Sequence, residues 1–145
     1  DTEEIFSNKK IIVFSIDGAF TSDLNNRYIQ AYDNAYSELK STGTDEVYCV
    51  SVNDTFVINA WFGKLGIKNV KPLGDGEGVF TQGMGMLVNK PRQGFGMRSW
   101  RYSMLVDNRE VLKIFEEPGK NHASDDTDPL EVSDADTMIK HLKEV

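Results

Sequence analysis

Cysteine occurs once in the 145 residues, at Cys49. No intrachain disulfide can form, and neither can a zinc site built from several cysteines. A lone thiol favours a reducing compartment, so the expected location is the cytoplasm. Tryptophan and histidine occur twice each and proline four times. Basic residues are the scarcer charge: 16 Lys and Arg against 23 Asp and Glu leave a net charge of −7. An acidic chain with scattered lysines lacks the electrostatic footprint of a nucleic-acid or anionic-membrane binder. No apolar run approaches the ~18 residues of a spanning helix. Asp1-Thr2-Glu3-Glu4 leads into no long apolar segment, which excludes an uncleaved signal peptide but not one already removed.

Hydrophobic residues make up 39% of the chain and charged residues 27%, values of a globular protein. A chain of this length buries roughly two-thirds of its unfolded surface and needs no metal or disulfide to fold. One domain over residues 1–145 is expected.

Lys10 to Ile16 is a nearly continuous apolar run, the pattern of a strand buried on both faces. Residues 26–40 place Tyr28, Ile29, Tyr32, Ala35, Tyr36 and Leu39 on one helical stripe, with Gly43 beyond as a stop. Glu46 to Val52 is a second buried strand. Asn53 and Asp54 are good N-caps for a helix carrying Phe56, Val57, Ala60, Trp61 and Leu65, closed by Gly66. Val70 to Leu73 is a third, short strand. Residues 74–96 hold seven of the twelve glycines and read as loop, apart from a short helix over Val79–Met84. Trp100 to Val106 and Glu110 to Phe115 form a hairpin around Asp107-Asn108. Residues 116–132 are polar and read as an exposed loop. Ser133 opens a last helix, with Asp136 as a shortened capping box. Parallel βαβαβ followed by a hairpin and a terminal helix is the element order of a thioredoxin-like α/β fold, a central mixed sheet flanked by helices.

Gly18-Ala19-Phe20-Thr21 after the first strand, Ser51-Val52-Asn53-Asp54 after the second and Trp100-Arg101-Tyr102-Ser103-Met104 at the hairpin resemble the five-type (type II, redoxin) peroxiredoxins. Gly83 to Val88, Gly94 to Ser99 and Ser133 to Met138 are similar to the peroxiredoxin half of bacterial peroxiredoxin–glutaredoxin fusions. The resemblance runs from about Glu4 to the C-terminus. The family's peroxide site is a Pro-x-x-x-Thr-x-x-Cys segment plus a distant Arg. Here Thr21 and Arg101 are present, but Asp17 stands at the proline position and Leu24 at that of the peroxidatic cysteine. Peroxide reduction needs a thiolate that attacks the O–O bond and becomes a sulfenic acid, and leucine offers no nucleophile. The resemblance therefore implies a degenerate pocket of Asp17, Thr21, Leu24 and Arg101 with no intact catalytic set. Arg101 is expected to pair with Asp17 or Asp23.

Two functions follow as expectations: a pseudo-peroxidase with a binding or assembly role, or a residual thiol peroxidase that uses Cys49 with glutathione or glutaredoxin. Cys49 lies in a predicted buried strand with no basic neighbour, so the core reading is favoured. No cofactor or metal is implied. Gly74 to Gly78 carries two carboxylates and lacks phosphate-loop spacing. His122 with Asp125, Asp126, Asp128 and Glu131 fits no calcium loop and reads as a solvated acidic stretch. His141 is expected on the polar side of the last helix. The tyrosine stripe is expected in the core or a subunit contact. The resemblance implies a homodimer, with Phe20, Leu24, Phe80 and Trp100 at its surface, and an active peroxiredoxin or a glutaredoxin as the other candidate partner. Phe95 and Met97 add to the apolar side chains that a monomer would leave wet.

Overall fold

In a computed structural model, which describes residues 1–122 and 128–144, the chain adopts a thioredoxin-like α/β fold. Its central strand is β1 (Lys10–Ser15). On one side β1 pairs in parallel with β2 (Glu46–Ser51), which pairs in parallel with β3 (Lys71–Gly74). On the other, β1 runs antiparallel to β6 (Tyr102–Asp107), which forms a hairpin with β7 (Glu110–Glu116). The five-stranded order is β3-β2-β1-β6-β7.

The apolar run of β1 has the cause the sequence suggests, since the strand feeds a core on each face. Ile12, Phe14 and Ile16 join Tyr28, Tyr32, Val47, Cys49 and Trp61 on one face. That face is covered by α2 (Asp23–Asn34), α4 (Thr55–Leu65) and α6 (Ala135–Lys143). Phe14 stacks on Tyr32, with ring centroids 4.1 Å apart, and meets Tyr28 edge-on. Ile11 and Val13 join Trp100, Tyr102 and Met104 on the other face. The tyrosine stripe is therefore core at Tyr28 and Tyr32, with Tyr36 half-buried.

Local signals placed most ends correctly. Asp54 caps α4 by accepting from the Val57 amide, and Gly66 closes it in the left-handed region at φ 68°. The β6–β7 turn falls one residue later than the expected Asp107-Asn108, because Asp107 still pairs with Glu110; it uses Asn108 and Arg109 at φ 46° and 73°, the primed-turn geometry that follows strand twist.

Several expectations change. The helix over residues 26–40 is two: α2 begins earlier, capped by Ser22, and α3 (Tyr36–Ser41) follows a break at Ala35. Apolar spacing hides the break because Leu39 still faces the same core. The glycine-rich stretch contains β4 (Leu87–Lys90) and β5 (Gly96–Ser99), a second, two-stranded sheet, besides α5 (Val79–Gly83). Four-residue strands are too short to show alternation. A short α1 (Thr2–Phe6) precedes β1, capped by Asp1. Asp134, not Ser133, caps α6, because Ser133 is fully buried and bound elsewhere. His141 packs edge-on against Phe115 instead of facing away.

The segment after β7 differs most from its expected exposure. Glu117 is fully buried, and its carboxylate accepts from the amides of Glu131 (2.7 Å), Val132 (3.0 Å) and Ser133 (2.7 Å) and from the Ser133 hydroxyl (2.6 Å). Its carbonyl accepts from the Trp100 indole at 2.7 Å, and its amide donates to the Arg101 carbonyl at 3.2 Å. One residue, through its carboxylate and its own backbone, thus ties residues 131–133 to Trp100 and Arg101 just ahead of β6.

Candidate functional site

The loop from β1 to α2 carries Asp17, Gly18, Phe20 and Thr21. Gly18 is there because a Cβ would collide with the Arg98 guanidinium and the Thr21 methyl. Arg98 also donates to the Asp17 carbonyl at 3.3 Å, holding the loop against β5. The Thr21 hydroxyl has one proton; its nearer acceptor is the Gly18 carbonyl at 2.7 Å, with Asp17 Oδ1 at 3.1 Å. Asn25, fully buried in the first turn of α2, donates its amide to Asp17 Oδ1 (2.5 Å) and Thr21 Oγ1 (2.9 Å). Its carbonyl oxygen accepts from Arg101 Nη2 at 2.5 Å.

Arg101 is only 2% exposed. Its Nη1 donates to Asp128 Oδ1 at 2.5 Å and to the Pro129 carbonyl at 2.9 Å, and its Nη2 reaches Asp128 Oδ2 at 3.1 Å. The guanidinium lies 5.3 Å from the Tyr28 ring centroid. Its Nε has no hydrogen-bond partner among the described residues. Burial raises the Asp128 carboxyl above its ordinary range, with Asp17 adding to the rise and the Arg101 hydrogen bond opposing it.

Three of the four predicted pocket residues meet, with new partners. Asp17, Thr21 and Arg101 join one network through Asn25, and Leu24 is half-buried beside it in sequence. The expected pairing of Arg101 with Asp17 or Asp23 is corrected. The partner is Asp128, delivered by the segment that Glu117 anchors, while Asp23 is exposed and pairs with Arg27 at 3.4 Å. Asn25 and Asp128 were missed. Asn25 lies in the first turn of α2, and its link to Thr21, in the loop before the N-cap Ser22, has no helical periodicity to flag it. Asp128 reads in sequence as one more acidic loop residue.

Cys49 sits mid-strand in β2, opposite Phe14 on β1 and Pro72 on β3, and is 1% exposed. Burial pushes its thiol well up, against thiolate formation at neutral pH.

The surface set divides. Phe20 is 52% exposed, at the strained φ of 64°, and Met97 is 46% exposed. Phe80 is half-buried and stacks on Phe6, and Phe95 lies under the Arg98 guanidinium. Trp100 corrects the expectation of a wet anchor: it is 4% exposed, packed in the second core, with its indole N–H bound by Glu117. A cleft of about 250 Å³ opens beside Phe20, between Thr21, Asn26, Trp61 and Lys64; Arg101 does not line it.

Among the described residues no group of three or more His, Cys, Asp or Glu is placed to hold a metal. His122 Nδ1 accepts from the Asn89 amide at 3.0 Å. Asp125 and Asp126 lie outside the described residues. No described helix is long and apolar enough to cross a membrane.

Chemically, the site offers a buried cation, two carboxylates, an amide and a hydroxyl whose nearest acceptor is a neutral carbonyl. Comparison with known proteins gives it a lineage. A profile of the Redoxin family matches residues 1–139. Peroxiredoxin sll1621 of Synechocystis is 47% identical over 144 residues, 98% of this chain and 75% of that protein. Hybrid peroxiredoxin hyPrx5 of Haemophilus influenzae is 50% identical over 141 residues, 97% of this chain but 56% of the relative. Among solved structures, the antioxidant protein (1-Cys peroxiredoxin) of Plasmodium falciparum matches with a TM-score of 0.95 and 38% identity, over 100% of this chain and 82% of that one. With its motifs in order along one fold and close relatives over nearly its whole length, the chain belongs to the peroxiredoxin (redoxin) family.

Proposed function

We propose that this chain is a peroxiredoxin-family domain that does not reduce peroxides and serves as a binding or assembly partner, meeting a second copy of itself or an active relative. One observation carries the reading. Leu24 occupies the first turn of α2, three residues after Thr21 and directly before Asn25, the residue that binds Arg101. That is where the family resemblance puts the attacking thiol. Peroxide reduction forms a sulfur–oxygen bond, breaks the O–O bond and releases water or an alcohol, and no side chain in this network supplies the sulfur. Arg101, which would stabilise charge on the leaving oxygen, has its terminal nitrogens engaged by Asp128, Pro129 and Asn25.

The names of the relatives favour a second reading, a thiol peroxidase using Cys49 with glutathione or glutaredoxin as reductant. The burial of Cys49 opposes it. The decisive assay supplies purified protein with thioredoxin or glutaredoxin systems and follows hydrogen peroxide and alkyl hydroperoxide consumption. No acceleration is expected. Turnover that disappears in Cys49→Ala would establish the second reading.

The assembly role predicts a homodimer, supported by the exposure of Phe20 and Met97 near the site. Sedimentation at micromolar concentration should give about twice the 16.3 kDa chain mass. Phe20→Glu should shift it to monomer, and a wild-type monomer at high concentration would refute the dimer.

A further inference from the structure

The Arg101–Asp128 pair is built unlike a surface ion pair. The cation is 2% exposed, whereas the carboxylate side chain is 32% exposed, so the anion sits on the solvent side of a buried receptor. The contact is a fork: Nη1 holds Oδ1 at 2.5 Å and Nη2 holds Oδ2 at 3.1 Å. The receptor has supports of its own. Asn25 Oδ1 and the Pro129 carbonyl accept from the guanidinium, and the Tyr28 ring lies 5.3 Å away. Nε remains a buried donor without a partner among the described residues.

We propose that Arg101, steadied by Asn25, is a binding site for a small planar monocarboxylate, and that Asp128 is its built-in occupant. The ligand class follows from geometry and charge. A carboxylate presents two coplanar oxygens that match the guanidinium edge, which a spherical anion cannot do. Asp17, linked to the site through the Asn25 amide at 2.5 Å, adds a second negative charge that disfavours a dianion such as phosphate. In the intact chain the tethered carboxylate outcompetes a free one, because attachment in cis raises its effective concentration. Removing it leaves a desolvated cation uncompensated, which makes the vacated site receptive.

The test compares unfolding of wild-type protein and Asp128→Ala in sodium formate and sodium chloride at equal ionic strength. With formate at about ten times its dissociation constant, the variant's midpoint should rise by about 4 °C over chloride, and wild type should show no such difference. Arg101→Met added to Asp128→Ala should remove the effect, and phosphate should act no better than chloride. Should Asp128→Ala not fold in chloride, the same comparison is read as the fraction refolded, by circular dichroism, in formate against chloride. A variant that responds to formate no more than wild type, by whichever of these readouts applies, overturns the proposal. No peroxide chemistry enters the readout, so this outcome and that of the peroxidase assay are independent.

Discussion

Replacing Glu117 by alanine should be among the most damaging single changes in the chain, although the residue lies in a stretch that reads as exposed loop. Its carboxylate satisfies three backbone amides and one hydroxyl, all within 3.0 Å. Each buried donor left without an acceptor costs about 1–3 kcal/mol, and hydrogen bonds to a charged group lie toward the top of the range. Simple addition overshoots, because water can enter the space the side chain leaves. We therefore expect a loss of about 3–5 kcal/mol, a large fraction of the stability of a domain this size. Glu117→Gln should lose about 1–3 kcal/mol, since the amide keeps the shape but turns one acceptor into a donor facing an N–H. The assay is urea denaturation followed by circular dichroism, with hydrogen exchange at the amides of Val132 and Ser133 as a local readout. In Glu117→Gln those two amides should exchange faster than the core strands do. A loss below about 1 kcal/mol in Glu117→Ala, with an unchanged denaturant slope, would refute the reasoning.

Three further outcomes follow from the same geometry. Cys49 should react with a thiol probe slowly in the native state and quickly in urea, and Cys49→Ser should lose about 1–3 kcal/mol by burying a hydroxyl without an assured partner; fast native labelling at neutral pH would contradict the core placement. Tyr36 donates to Glu46 at 2.8 Å, and burial together with that carboxylate pushes its phenol up to about 12. Because this folded pKa is raised, the stability it contributes is full below pH ~10 and is lost as the pH rises toward about 12, so Tyr36→Phe should flatten the fall in melting temperature over that window. Leu24→Cys alone should show little peroxide reactivity in stopped flow, because nearby carboxylates raise a thiol and Asp128 occupies the Arg101 fork; Asp17→Pro, Asp23→Thr and Leu24→Cys together should do better, and full activity from the single change would refute the electrostatic argument.

Where a structural cause is local, it was legible. The apolar run at Ile11 to Ile16 encodes a strand buried on both faces, Asp54 and Gly66 bracket α4, and Asp107-Asn108 places the hairpin turn to within one residue, since each depends on residues within a few positions. The two-stranded sheet of β4 and β5 was not, because short strands among glycines carry too few side chains to alternate. Ser133 and Asp134 are both competent caps by composition, and a carboxylate 16 residues away decides between them.

The candidate site divides along the same line. Residue identity alone determined that Leu24 stands where the family resemblance puts a sulfur and that the single thiol lies in an apolar strand. Covalent chemistry is set by which atoms a side chain possesses, and no packing can change that. Only the tertiary structure decided that Arg101 is held by Asn25 and Asp128 instead of Asp17 or Asp23, and that Trp100 is core. The physical reason is that a buried charge takes the partner its surroundings bring within hydrogen-bond reach. Here that partner arrives from 27 residues away, on a segment that Glu117 anchors to the start of β6.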